Sequence, residues 1–190
     1  MRVRVTLVLI PSLFLVATLF CFAQPQQPPA AGPTKAGVLT ADVVGTKLMP
    51  EKVFFRGQLT RVQSSSSGGV RYSDDSLVLA GLVENPGWAA GISDKYQGYL
   101  ITEVSMVIGG QTVMPGTYGF GFVDGGKFVV MDVSSWELFT VGSTSDAELK
   151  SPMPLQFVAG PDPGKYRLYK GRDFVEFKRV KLVRIVKSKD

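Results

Sequence analysis

Between Val53 and Phe177 no apolar run lasts beyond about ten residues before glycine, proline, asparagine or aspartate interrupts it. Segments that short cannot hold a helix with a sustained buried face, but they suit strands. The 21 glycines and 12 prolines supply the turns. Val53 to Gln63 reads as one β-rich stretch with Val53, Phe55, Gly57 and Leu59 on one face, and Ser64 to Gly69 as an exposed loop without apolar content. Leu77 to Val83 is a continuous apolar run of strand length, ended by Asn85-Pro86-Gly87. Trp88 to Tyr96 is the single segment that predicts a short helix, with Gly98 to end it.

The middle of the chain is the most legible. Tyr99 to Ile108 alternates, with Leu100, Thr102, Val104, Met106 and Ile108 on one side. Gly109-Gly110 and Met114-Pro115-Gly116 are turns, and Thr117 to Val123 puts Tyr118, Phe120 and Phe122 opposite Gly119 and Gly121. Asp124-Gly125-Gly126 turns into Lys127 to Val133. Trp136 to Val141, Leu155 to Val158, Tyr166 to Tyr169 and Phe174 to Phe177 are further strands. The pattern predicts an all-β domain, an antiparallel β-sandwich or distorted barrel with one short helix.

The chain starts with Arg2 and Arg4, an apolar stretch from Val5 to Phe20, and small residues at Cys21 and Ala23. These features predict a signal peptide over 1–23 and an exported protein, periplasmic or extracellular. An uncut membrane anchor is the alternative, since Val5 to Ala23 approaches the roughly 20 apolar residues that a bilayer requires. Pro11 and several hydroxyl residues weaken it as a span. Lipidation at Cys21 is disfavoured by Phe20 at a position that wants a small residue. Residues 24–35 carry four prolines and read as a tether. Residues 36–190 then form a single β-rich domain.

Cleavage would remove the only cysteine, and the chain has no histidine. Disulfides, Cys/His zinc sites and histidine-dependent acid–base or triad mechanisms are therefore excluded from the mature protein. The nucleotide motifs fail as well: Gly160-Pro161-Asp162-Pro163-Gly164-Lys165 has three residues between its glycines rather than four, and Tyr166 replaces the magnesium-holding hydroxyl. No cofactor, metal or nucleic-acid partner is expected. Asp74, Asp75, Asp94, Glu103, Asp124 and Asp132 are the carboxylates open to a glycan hydrolase, and several of them sit in turn contexts.

Two sets of residues are candidates for binding. Trp88, Tyr118, Gly119, Gly121 and Trp136 combine aromatic rings with a bare glycine stripe, where a ring, a backbone or a small apolar or glycan ligand approaches closely. The competing reading of the aromatic row is a β-domain core, with Trp136 or Trp88 lying across the glycines. Residues 165–190 hold ten bases against three acids. Within them Lys178, Arg179, Lys181, Arg184 and Lys187 are candidates for contact with an anionic envelope surface. The competing reading is a solvated strand edge guarded by lysines. Lys178 to Lys187 is compatible with a final strand, which its β-branched residues favour, or a basic amphipathic helix.

The stretch Ile108 to Gly119, with its Gly109-Gly110 and Pro115-Gly116-Thr117-Tyr118-Gly119 elements, resembles a signature of a bacterial family of exported β-rich proteins of unknown function. The likeness covers about Tyr99 to Val141. The chain departs from the family pattern in lacking an early arginine-tryptophan segment and any histidine. The resemblance implies an all-β fold and export, and it assigns no activity or site residues. The functional expectation is a non-catalytic ligand- or partner-binding module of the cell envelope or exterior. The alternatives are a carboxylate-based glycan hydrolase and a structural accessory held on anionic surfaces by its basic end.

Overall fold

Glycine punctuation becomes a series of antiparallel hairpins. The computed structural model describes residues 35–55, 57–84 and 90–181. The signal segment, residues 24–34 of the tether, Trp88, Arg184 and Lys187 lie outside the described residues. In chain order the elements are β1 (Gly37–Leu39), α1 (Ala41–Lys47), β2 (Lys52–Phe55), β3 (Gln58–Arg71), β4 (Leu77–Val83), α2 (Ala90–Ser93), β5 (Gly98–Thr102), β6 (Met106–Ile108) and β7 (Gln111–Val113). There follow β8 (Gly116–Val123), β9 (Lys127–Met131), β10 (Glu137–Gly142), β11 (Thr144–Ser145), β12 (Met153–Ala159), β13 (Lys165–Gly171) and β14 (Asp173–Arg179). One sheet runs β1-β3-β4-β5-β8-β9-β10 with β2 on β3, and the other runs β12-β13-β14-β6-β7 with β11 on β14. The fold is an antiparallel β-sandwich.

One long hairpin, residues 98–123, joins the two sheets. Its base, β5 with β8, belongs to the first sheet, and its tip, β6 with β7, belongs to the second. The alternating stripe read from Tyr99 to Ile108 therefore spans two strands. Leu100, Thr102, Val104, Met106 and Ile108 all stay buried, because the corner between them keeps one side facing inward. Thr102 makes that corner: its Oγ1 donates to the Val104 carbonyl at 2.6 Å and accepts from the Val104 N–H at 3.2 Å. At the tip, Gly109 and Gly110 have φ of 55° and 86°. Two positive-φ residues in a two-residue loop match the type I′ hairpin that favours glycine.

Two hydrophobic layers result from the period of two. Phe120, Phe122, Phe128 and Val130 of the first sheet meet Leu155, Phe157, Leu168, Val175 and Phe177 of the second. The opposite face of the first sheet carries Leu79, Val83, Tyr99, Val129 and Met131, covered by Val44 and Met49 and by Val53 of β2, with Tyr96 beside α2. The seven-residue run of β4 is apolar throughout because both of its faces are covered.

Three local expectations are corrected. Val53 to Gln63 is not one strand but a hairpin, since the chain reverses before Gly57, whose φ of 79° favours glycine. Ser64 to Gly69 is not an exposed loop. It lies inside β3, with Ser66 and Ser67 at 6% and 2% exposure, where a register shift between Val62 and Ser67 forms a bulge. Small side chains suit this place because α1 settles directly on it: a Cβ at Gly45 would collide with the Ser64 carbonyl. Helix α1 itself is an addition to the one predicted helix. Its sequence, Ala-Asp-Val-Val-Gly-Thr-Lys, has weak helix propensity, and burial of Val44 stabilises it instead.

Candidate ligand-binding groove

The glycine stripe is filled from within the chain. A Cβ at Gly119 would fall inside the Tyr96 ring, and one at Gly121 would collide with the Lys95 carbonyl. Lys95 and Tyr96 thus form a strap across β8, and Tyr96 is completely buried beneath it. The approaching ring is Tyr96 rather than Trp136, which is 74% exposed beyond the β9–β10 turn. In the aromatic row, Phe120 and Phe122 are core residues at 0% and 8% exposure. Tyr118 is half-buried at the margin and donates its hydroxyl to the Met114 carbonyl at 3.0 Å. Tyr118 and Trp136 are therefore not gathered with the two glycines into one pocket.

The basic set divides. Arg179 is engaged by Asp74, with Nη1–Oδ1 and Nη2–Oδ2 at 2.9 and 2.7 Å, and it stacks over Tyr72 at 5.1 Å. It ties β14 to the β3–β4 turn. Lys178 and Lys181 are exposed. Among the carboxylates, Glu103 accepts the Leu77 N–H at 2.8 Å and Asp132 caps the turn at Ser134 and Trp136. Hydrogen bonds from Arg61, Arg179 and Lys165 hold Glu51, Asp74 and Asp162, respectively, below the usual carboxylate range. A general acid needs the opposite shift.

The residues that come together as a site lie on the outer face of the second sheet. On β14, Val175 and Phe177 point to the core, so Phe174, Glu176 and Lys178 point away. On β13 the outward set is Lys165, Arg167 and Tyr169, in register opposite Lys178, Glu176 and Phe174. The rings of Tyr169 and Phe174 are 4.9 Å apart, and the Arg167 guanidinium lies 4.4 Å from the Phe174 centroid. Tyr169 donates its hydroxyl to Asp146 Oδ2 at 2.8 Å. Arg172 Nη1 in turn donates to the carbonyls of Asp146, Ala147 and Leu149 at 3.2, 3.0 and 2.8 Å, so the segment bearing Asp146 is fixed.

Beside Phe174 opens a groove of about 380 Å³. Val107 and Phe174 contribute apolar surface, Lys165, Glu176 and Lys178 line it with charge, and Gly109-Gly110 and Gly142 leave its rim bare. Its volume falls within the range typical of small-ligand sites. Lys165 Nζ sits 2.7 Å from Asp162 and 3.0 Å from Glu176, and Glu176 also faces Arg167 Nε at 3.7 Å. The hydrogen bonds to Asp162 and then Glu176 push the Lys165 amine above its ordinary value. It is a fixed cation and donor, unsuited to nucleophilic or base chemistry.

No family model, curated protein or solved structure matches the chain. The groove's reading therefore rests on its own residues. Of the sequence candidates among the described residues it contains only Lys178. Lys165, Phe174 and Glu176 are not among the sequence candidates, although the outward alternations Lys165-x-Arg167-x-Tyr169 and Phe174-x-Glu176-x-Lys178 are a readable signal of charged and aromatic residues on one strand face.

Proposed function

We propose that this protein is an exported, non-catalytic module that binds a polyhydroxylated, glycan-type ligand in the groove beside Phe174. The observation that carries the reading is the half-buried Phe174 ring, backed by the buried Tyr169 ring and flanked by Lys165 and Glu176, whose positions are fixed by ion pairs before any ligand arrives. Preorganised donors and acceptors beside an apolar ring suit a sugar, which offers hydroxyls at its edge and C–H groups on its face. Export is inferred from the charged start and apolar stretch of residues 1–23. The hydrolase alternative is weaker because the carboxyls displaced from their ordinary range are all lowered.

The test is chemical-shift mapping of the protein with neutral and acidic oligosaccharides. Amides near Val107, Gly142 and Phe174 should move, and Phe174→Ala should abolish the response while the fold persists. Saccharides that leave these amides unmoved would refute the reading.

A further inference from the structure

We infer that the ligand of this groove is an acidic saccharide, at least two sugar units long, whose carboxylate seats on Lys178; the inference rests on the groove reading above. Lysines that guard a sheet belong on its edge strands, but β14 lies between β13 and β6. At Lys178 it is paired on both sides, with Lys165 and Val107. Edge protection therefore does not account for this lysine.

Like charges placed directly opposite on neighbouring strands are unfavourable, yet Lys165 and Lys178 are register partners. Lys165 is neutralised by Asp162 and Glu176. Glu176 is also shared with Arg167. Among the described residues no carboxylate lies within ion-pair distance of Lys178, so they leave this groove cation without a counter-charge. An anionic ligand supplies it.

Length follows from strand geometry. Phe174 and Lys178 share a face four residues apart, about 13 Å at roughly 3.3 Å per residue. That distance exceeds one sugar ring. A ring against Phe174, hydroxyls on Glu176 and a carboxylate on Lys178 require an oligomer laid along β14.

Gly142 adds a second, independent mark. It lies in β10, its φ is not in the left-handed region, and a Cβ built there meets nothing within 4 Å. Neither backbone nor packing demands glycine at this position, yet it lines the groove. A bare residue there leaves the groove open.

The experiment compares an oligogalacturonate trimer, its methyl-esterified neutral form and anionic phospholipid vesicles, using calorimetry and amide shifts on the protein as a host exports it. The acidic trimer should bind at least tenfold more tightly than the ester. Lys178→Gln should bring the two trimers to parity by weakening the acidic one at least tenfold. Gly142→Leu should block both trimers with an unchanged or higher Tm. Equal binding of acid and ester in the groove overturns the inference but leaves the groove reading intact. Amides of the groove that respond to neither trimer overturn both. Vesicle binding that survives Gly142→Leu and exceeds trimer binding assigns Lys178 to a membrane surface and likewise overturns the inference.

Discussion

Gly119→Ala tests the strap over β8 most directly. The new methyl group would occupy the place of the Tyr96 ring, which has no exposed surface and no room to retreat without leaving the layer it shares with Tyr99 and Val129. A buried aromatic side chain removes about 150–250 Å² from water, and at about 25 cal/mol per Å² its complete expulsion would cost about 4–6 kcal/mol. Partial yielding, as in an overpacked core, costs about 1–3 kcal/mol. Replacing a strand glycine returns about 0.5–1 kcal/mol. The expected net loss is about 2 kcal/mol, the upper end of overpacking less the glycine return. Equilibrium urea unfolding measures it. Tyr96→Ala alone should destabilise by about 3–5 kcal/mol, and in that background Gly119→Ala should be neutral or slightly stabilising. A double-mutant cycle then gives a coupling energy near 3 kcal/mol. If Gly119→Ala is equally harmful with and without the Tyr96 ring, the clash is elsewhere and the reasoning fails.

The neighbouring glycine should behave differently, because its obstacle is the Lys95 main-chain carbonyl: Gly121→Val should be severely destabilising, and Lys95→Ala should give no relief in urea titrations. In the aromatic row, thermal unfolding should rank Phe120→Ala at about 3–5 kcal/mol, half-buried Tyr118→Ala at about 2 kcal/mol, and exposed Trp136→Ala within about 0.5 kcal/mol of the parent. Asp74, held low mainly by its hydrogen bonds from Arg179 and Ser76, contributes stability that is present above the ordinary carboxylate range and lost as pH falls through it toward the depressed folded value. Stability measured from pH 6 down to pH 2 should therefore fall less steeply in Asp74→Asn than in the parent, and parallel curves would show that the Asp74–Arg179 pair does not contribute to acid sensitivity.

The strands were legible because both of their determinants are local. Glycine at Gly109-Gly110 and Gly125-Gly126 meets a positive-φ requirement within the turn itself, and the period of two needs only neighbouring residues. The features that stayed hidden depend on contacts between elements far apart in sequence. The alternation from Leu100 to Ile108 is the same whether the chain runs straight or turns the Thr102 corner, since every member of the stripe is buried either way. The serines of β3 look like a solvated loop until α1 is placed against Ser64 and the bulge carries Ser66 and Ser67 into the interior. Likewise the glycines of β8 announce a close approach without naming Tyr96, which reaches them from a different element.

Lys178 shows why the groove was harder to read than the fold. Counted along the chain it is one base in a basic end, and edge guard, surface anchor and ligand contact look alike. Strand order separates them, and strand order is not written in any local pattern. The first sheet has one face against the second sheet and much of the other beneath α1, β2 and the Lys95-Tyr96 strap, so its side chains answer to packing on both sides. Among the described residues the second sheet has no such layer over the groove. There Phe174, Glu176 and Lys178 fill no core, and Lys178 stands beside another lysine on a central strand without the edge position that would explain it. Residues that burial does not demand and edge protection does not explain are where a sandwich has room for recognition, and this face of β14 is such a place.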